Sequence, residues 1–198
     1  MNLIRWSMKY IDIILNSKKT VFTYNDIGVL LKMQNKDTIK SFFARRVKDN
    51  IFRYLHKWTY GLKDYNRFEL WSKIKKWSYI SFETVLEQEG VIFQDYGNII
   101  MLSSNNTLTK TIDGHVFSYY KLKDSILYNP LWLINKKTYT IATKERALCD
   151  RLYLTPDYYF DNLDGIDYDL LESISTIYDN KRVILSVQNI IHAQQRKT

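Results

Sequence analysis

A short basic segment carries the residue types that point most directly to chemistry, and that chemistry is the binding of a polyanion. Between residues 37 and 49, helical steps of about 100° place Ile39, Phe43 and Val47 on one face. The opposite face is small, polar and positive, with Thr38, Ser41, Arg45 and Lys48 on it and Lys40 and Arg46 at its flanks.

Such a face suits the major groove of DNA, because a guanidinium can pair with guanine and an ammonium group can meet phosphate. We predict that Arg45 contacts a base edge. The other three cations, Lys40, Arg46 and Lys48, are predicted to contact phosphates. An ordinary solvated helix face is the competing interpretation.

The carboxylates form no arrangement typical of an enzyme. Glu145 and Asp150 lie five positions apart, which turns them about 140° from each other on a helix. The acidic run between residues 157 and 169 lacks the residue order of a calcium loop. Asp179-Asn-Lys181 matches the carboxylate-x-Lys motif of metal-dependent nucleases by spacing alone.

Cysteine and histidine usage gives no further site. Cys149 is the single cysteine, which excludes an internal disulfide, and we predict that it is a buried apolar residue. The three histidines, His56, His115 and His192, lack the spacing of zinc ligands. We therefore predict no catalytic residue, no metal and no cofactor.

Two helices are predicted to support the basic segment. The first runs from Leu3 to Asn16, with an apolar stripe at helical spacing: Ile4, Met8, Ile11 and Leu15. Thr23 is predicted to cap the second helix in a capping box with Asp26. Its buried side would comprise Tyr24, Ile27, Leu30 and Leu31. Residues 33–36 form the turn into the basic helix, which runs from about Asp37 to Asp49.

A β-hairpin is predicted directly after the basic helix. Asn50 suits the left-handed conformation at a helix end, and the strands run from Ile51 to Leu55 and from Trp58 to Leu62. The tight turn would be His56-Lys57. We predict that Arg53, His56 and Lys57 lie near the DNA backbone or minor groove. The alternating aromatics Tyr54, Trp58 and Tyr60 are predicted to form the hairpin core.

This order of elements is that of a winged helix-turn-helix, and the fold class predicted for the chain is α+β. The proposed boundaries are 1–63 for the winged helix-turn-helix domain, 64–78 for a helical linker and 79–198 for a mixed α/β domain. In the third segment, strands are predicted around residues 79–81, 99–103, 109–112, 116–122, 131–134 and 139–142. Helices are predicted from Phe82 to Glu89, from a Thr143 cap to Leu154, and twice near the end of the chain.

Charge is divided unevenly along the 198 residues. Residues 1–77 hold 17 Lys/Arg against 6 Asp/Glu, a net of +11, and the rest holds 12 against 15, a net of −3, which gives the overall +8. The positive excess coincides with the predicted DNA-binding domain and favours a polyanionic partner.

No apolar run approaches the roughly 18 residues of a membrane span, and the start lacks a signal-peptide pattern, so we expect no membrane partner and a cytoplasmic protein.

Three segments resemble the AbiEi antitoxins of bacterial abortive-infection (type IV) toxin–antitoxin systems. Lys57-Trp-Thr-Tyr60-Gly-Leu is similar to that family's basic-Gly-x-Tyr hairpin. Tyr79-Ile-Ser81-Phe-Glu83-Thr-Val-Leu86-x-x-x-Gly90 resembles its "YIS-x-x-SAL-x-x-x-G" segment. Ile141-Ala142-Thr143-Lys-Glu145-Arg-Ala147-Leu148-Cys-Asp150-Arg-Leu-Tyr153 resembles its "IA-x-x-EKALLDLLY" helix. Together they frame about residues 20 to 155.

The resemblance implies two activities. One is repression of the operon's own promoter by binding double-stranded operator DNA. The other is neutralisation of a cognate nucleotidyltransferase-like toxin through the C-terminal domain. The chain departs from the family at Trp58 and Asn50, where Gly is usual, and at Thr84-Val85, where Ser-Ala is usual.

Two other functions stay open at this point. A nuclease or other DNA-processing enzyme could use the same winged helix for targeting. A protein-interaction module could use the basic face for an acidic partner and never bind DNA.

Overall fold

The computed structural model of the chain describes residues 10–196. They form two compact units, the first ending at Lys76 and the second beginning at Trp77. Each unit combines helices with a β-sheet, so the α+β class predicted from the sequence is confirmed.

The described part of the first unit contains a helix over residues 10–16, called α1, followed by three strands and three further helices. These are β1 (Val21–Thr23), α2 (Tyr24–Leu30), α3 (Lys36–Lys48), β2 (Phe52–His56), β3 (Thr59–Leu62) and α4 (Arg67–Ile74). The strands form an antiparallel sheet in the order β1-β3-β2. The short strand β1 was not predicted.

The first unit is held together by an aromatic and aliphatic core between the helices and the sheet. Its fully or nearly fully buried members are Ile14, Phe22, Ile27, Leu31, Ile39, Phe42, Phe43 and Phe52. In α1 the predicted stripe is wrong at Leu15, which is 56% exposed, whereas Ile14 is 1% exposed. The phase differs because the helix turns Tyr10, Ile13 and Ile14 toward this core. Ile4 and Met8 lie outside the described residues.

Polar contacts fasten α4 to the start of the first unit. Glu69 is 1% exposed and accepts hydrogen bonds from the Thr20 amide and hydroxyl, both at 2.8 Å. The Lys73 ammonium lies 3.0 Å from Asp26 Oδ1. The segment that the sequence assigned to a linker therefore packs, as far as Lys76, within the first unit.

Asp26 also forms the predicted capping box, which is confirmed. Its carboxylate accepts from the Thr23 amide and hydroxyl, and Thr23 Oγ1 accepts from the Asp26 amide. Burial acts to raise the pKa of Asp26. The hydrogen bonds from Thr23 and the nearby Lys73 ammonium outweigh burial, so the pKa lies below its ordinary value of 3.8.

The second unit contains six strands and five helices in the part of it that the structure describes, residues 77–196. They are β4 (Tyr79–Ile80), α5 (Glu83–Gln88), β5 (Ile99–Ser104), β6 (Leu108–Ile112), β7 (His115–Lys121), α6 (Asp124–Leu127), β8 (Leu133–Asn135), β9 (Thr140–Ala142), α7 (Lys144–Leu154), α8 (Tyr168–Thr176) and α9 (Lys181–Gln195). The strands form one mixed sheet in the order β6-β7-β5-β4-β9-β8. The single-turn helix α6 was not predicted.

Helix α7 is central to the second unit. It contacts α5, α8, α9 and strand β9. Thr143 caps it as predicted, because its hydroxyl accepts a hydrogen bond from the Arg146 amide. Its residues from Glu145 to Asp150 are all buried, polar and apolar alike.

A buried ion pair lies within α7. Arg146 and Asp150 have no side-chain exposure, and Arg146 Nε lies 3.3 Å from Asp150 Oδ1. Asp150 also accepts hydrogen bonds from four hydroxyls, those of Tyr79, Ser81, Ser103 and Tyr178. The Arg146 guanidinium donates further to Tyr79 and to the carbonyls of Ile126 and Leu131. The pair thus joins α7 to strands β4 and β5 and to the segment after α8.

The protonation states of this network follow from its surroundings. Burial raises the pKa of Tyr79 and of Tyr178 well above the ordinary value, and the Asp150 carboxylate raises both further, so the hydroxyls stay protonated and donate. Burial opposes the charge of Arg146. Asp150 and the two tyrosines outweigh burial and raise the pKa of Arg146, which stays charged.

We expect Asp150→Asn to lower the free energy of unfolding of the second unit by about 3–5 kcal/mol, because the buried Arg146 loses its counter-charge. Urea unfolding followed by circular dichroism measures this change. The control is Asp157→Asn, an exposed carboxylate, which should change stability by less than about 0.5 kcal/mol. Equal stabilities of the two variants would contradict the role given to the buried pair.

We expect Asp26→Asn to destabilise the first unit by about 1–2 kcal/mol at neutral pH, since charged hydrogen bonds and the Lys73 pair are lost. The lowered pKa means that this stabilisation is present above pH 3.8 and is lost as the pH falls through the folded-state pKa. The difference in melting temperature between wild type and variant should therefore shrink toward about pH 2.5. Exposed Asp64→Asn is the control, and a pH-independent difference would contradict the assignment.

Candidate nucleic-acid interface

The basic helix α3 is defined at both ends by local hydrogen bonds. The Asn35 side chain accepts from the amides of Asp37 and Thr38 at 2.7 and 3.3 Å, so the helix begins at Lys36. After Lys48 the chain turns at Asn50, whose φ of 56° is the left-handed conformation predicted for it. The last turn holds three cations, an arrangement that the helix dipole favours.

The two sides of α3 differ as the sequence predicted. Ile39 and Phe43 are buried, and Val47 is partly buried against the same core. Phe42, which the sequence did not place in the core, is 8% exposed and contacts Tyr10, Phe43 and Phe52. The predicted groove face is exposed at Thr38, Lys40, Ser41, Arg45 and Lys48.

Arg46 differs from the other cations of α3. Its side chain is 15% exposed, pairs with Asp49 at 2.6 Å, and lies over the Phe42 ring at 5.7 Å. In residues 10–196, by contrast, neither Arg45 nor Lys48 takes part in an ion pair. The exposed cations of this helix are therefore Lys36, Lys40, Arg45 and Lys48, whereas Arg46 is largely covered.

The hairpin after α3 forms, but its turn lies one residue later than predicted. Residues 57–58 are the turn, His56 ends β2, and β3 begins at Thr59. The shift occurs because Trp58 adopts a φ of 59° and because the β2–β3 register shifts between Tyr54 and His56. Arg53 and Lys57 are exposed, and His56 is partly buried.

The prediction that three hairpin aromatics form its core is correct for one of them. Tyr60 stacks on Phe43 with ring centroids 3.9 Å apart, and burial together with the neighbouring Tyr24 raises the pKa of Tyr60. Tyr54 and Trp58 are 57% and 51% exposed, so their predicted burial is wrong. Tyr54 lies on β2, an edge strand, and Trp58 lies in the turn beyond the sheet, where no neighbouring strand covers it.

In the second unit, two of the three carboxylates that could suggest catalysis have structural partners. Glu145 is 4% exposed and its Oε1 lies 3.4 Å from the Asp167 amide, whereas Asp150 belongs to the buried network. Asp179 precedes α9 with a φ of 45°, and Asn180 caps that helix. Within residues 10–196, no group of three or more His, Cys, Asp or Glu side chains is placed to hold a metal ion.

The acidic loop before α8 is likewise engaged in backbone contacts. Asp161 accepts from the Phe93 amide at 2.8 Å, and Asp167 caps α8 by accepting from the Leu170 amide at 2.9 Å.

Cys149 is fully buried as predicted, and burial raises the pKa of its thiol well above the ordinary value.

One charged pair in the second unit was not foreseen. Arg151 Nε lies 3.0 Å from Glu83 Oε1, and its guanidinium carbon lies 4.6 Å from the centre of the Tyr158 ring. Glu83 is 2% exposed and follows Phe82, a non-glycine residue with φ 55° and ψ −143°. The pair links α5 to α7. Its signal in the sequence is that both charges lie inside segments quoted above for the resemblance, Glu83 in the second and Arg151 in the third.

No family model matches the chain, and no curated protein matches it. In the described range, no helix has both the length and the apolar composition needed to cross a bilayer.

Proposed function

We propose that the first unit is a winged helix-turn-helix domain and that it binds double-stranded DNA. Support comes from the order α1, β1, α2, α3, β2, β3, in which α2 and α3 are joined by a short turn and the β2–β3 hairpin follows α3 directly. In this interpretation α3 is the recognition helix and the hairpin is the wing.

The observation that carries the proposal is the exposed basic side of α3. Its buried side is fixed by Ile39 and Phe43, so the helix has a single orientation and presents Arg45 and Lys48 to solvent. Arg45 is proposed to pair with a base edge. Lys40 and Lys48 are proposed to contact phosphates, while Arg46 contributes charge near the helix end.

The hairpin extends the same basic character. Arg53 and Lys57 are exposed, and His56 lies beside the turn. Cations at this place would contact the sugar–phosphate backbone and add affinity that does not depend on sequence. The net charge of +11 on residues 1–77 also favours the binding of a polyanion, by electrostatic attraction that acts over a longer range.

We further propose that the chain is an antitoxin and autorepressor that acts in the bacterial cytoplasm, where it represses its own promoter and neutralises a nucleotidyltransferase-like toxin. The support for this part is the resemblance to the AbiEi family. Tyr79, Ser81 and Asp150, which lie in two of the resembling segments, are buried together in the second unit. Their hydrogen bonds maintain its fold, so neutralisation, whether or not it involves direct contact with the toxin, is assigned to other residues.

We expect the full chain to shift a labelled duplex of its own upstream DNA in an electrophoretic-mobility assay. Arg45→Ala with Lys48→Ala should weaken binding by about 10-fold or more, because a base contact and a phosphate contact are lost. The dependence of log K on log salt should become shallower by about one to two units. The matched control is Lys181→Ala with Arg182→Ala, which removes two exposed charges from a helix of the second unit.

Unchanged affinity of the α3 double variant would contradict the recognition-helix assignment. Absence of any shift by the wild type, at low salt and with its own upstream DNA, would contradict DNA binding altogether. The latter result, together with capture of an acidic protein, would favour an interaction module instead.

We also expect repression and neutralisation to be separable. The Arg45→Ala, Lys48→Ala variant should lose about 10-fold in repression of a promoter–reporter fusion yet still relieve growth inhibition by the co-expressed toxin, because both changes lie on the DNA-facing side of α3. Loss of both activities, with unchanged stability of the variant, would contradict this division of labour.

A further inference from the structure

Trp58 adopts a backbone conformation that is unfavourable for a bulky residue, and its large apolar ring is exposed. Its φ of 59° is the left-handed conformation, which a bulky L-residue rarely adopts and which favours glycine. Its side chain is 51% exposed even so. Other non-glycine residues, among them Trp77 and Trp132, share this conformation, so it is the contacts and charges around the Trp58 ring that distinguish it.

The Trp58 ring is in contact with an aromatic residue of the first unit. The ring centroids of Trp58 and Tyr24 lie 4.9 Å apart in an edge-on arrangement. Tyr24 in turn stacks on Phe43 and Tyr60. The indole is therefore supported at the hairpin tip by Tyr24, while Trp58 remains 51% exposed. A held and accessible indole is suited to packing against a flat or apolar ligand group.

A groove runs between this ring and the beginnings of α2 and α3. It has a volume of about 580 Å³ and is lined by Thr23, Tyr24, Asn25, Lys36, Asp37, Lys40 and Trp58. Lys36 and Lys40 are both exposed, and the Asp37 carboxylate offsets one of the two positive charges. The exposed Asn25 amide adds a neutral hydrogen-bond donor.

The residues that line this groove complement the chemistry of a sugar–phosphate backbone. One wall offers an aromatic surface for the apolar side of a deoxyribose, and the other offers ammonium and amide donors for the phosphate oxygens on either side of it. A free aromatic compound would leave the two lysines without a role, and a small anion would leave the indole without one.

We propose that Trp58 contacts DNA directly, with its indole packed against a deoxyribose of the duplex bound by α3, while Lys36 and Lys40 hold the adjacent phosphates. This inference rests on the proposed DNA-binding function. It assigns a docking role to a residue at the hairpin tip where the resembling family has glycine.

Replacing Trp58 separates a ligand-binding role from a structural one. Trp58→Gly removes the indole and relieves the positive-φ strain, and Trp58→Asn removes the indole while keeping a residue that tolerates this conformation. We expect both variants to melt within about 3 °C of wild type or above it. We expect both to bind the labelled upstream duplex about 5- to 20-fold more weakly, and Trp58→Phe to retain most of the affinity.

Hydroxyl-radical footprinting supplies the direct measurement, since the radical attacks the deoxyribose. Wild type and Trp58→Phe should protect a few nucleotides at the edge of the site that Trp58→Gly leaves open, while the protection given by α3 stays in place at saturating protein. Lys36→Ala should weaken binding and make its salt dependence shallower.

Wild-type affinity and an unchanged footprint for Trp58→Gly would overturn the inference while leaving the proposed DNA binding intact. Loss of affinity that accompanies a clear drop in melting temperature in both the Gly and Asn variants would assign Trp58 to hairpin stability and would also overturn it. A wild-type protein that binds no duplex would contradict the proposed function itself.

Discussion

The carboxylate of Asp150 is buried completely and would be unstable there without its partners. Removing an ion pair from water costs several kcal/mol per ion, which is recovered only when geometry and hydrogen bonds are nearly complete. Here the Arg146 guanidinium and the hydroxyls of Tyr79, Ser81, Ser103 and Tyr178 supply those partners. Because the donors come from separate strands and helices, the second unit must place all of these elements correctly before the charge is stabilised. The pair therefore selects one arrangement of α7 against the sheet.

The first unit depends on a different constraint. Its core is a set of interlocking rings, with Phe43 in contact with Tyr24, Phe42, Phe52 and Tyr60. The Asp26 and Glu69 carboxylates then fasten α2 and α4 around the strand β1. With one side of α3 buried in the rings, its basic side is directed to solvent as a consequence of packing. The packing of α3 alone therefore orients Arg45 and Lys48 toward solvent in the proposed interface.

Three residues in the segments that resemble the AbiEi family lie in the interior of the second unit, whereas the residues proposed to bind DNA lie in the first unit. Tyr79, Ser81 and Asp150 belong to the interior, and interior residues of these types are constrained by one another's hydrogen bonds. Trp58, by contrast, departs from the family pattern and is exposed. Because Trp58 is exposed and has a positive φ, it is the position at which we propose a contact specific to this protein.

The sequence by itself determined what depends on neighbours along the chain. The capping box of Thr23 and Asp26, the Thr143 cap and the left-handed Asn50 follow from local hydrogen bonds and backbone preferences, and the helical period of α3 fixes which side is basic. Only the tertiary structure decided what depends on distant partners. Strand β1 is three residues long and exists through its pairing with β3. The hairpin turn at residues 57–58, the exposure of Tyr54 and Trp58, and the burial of Glu69 and Asp150 are set by contacts between segments far apart in sequence, which no local pattern encodes.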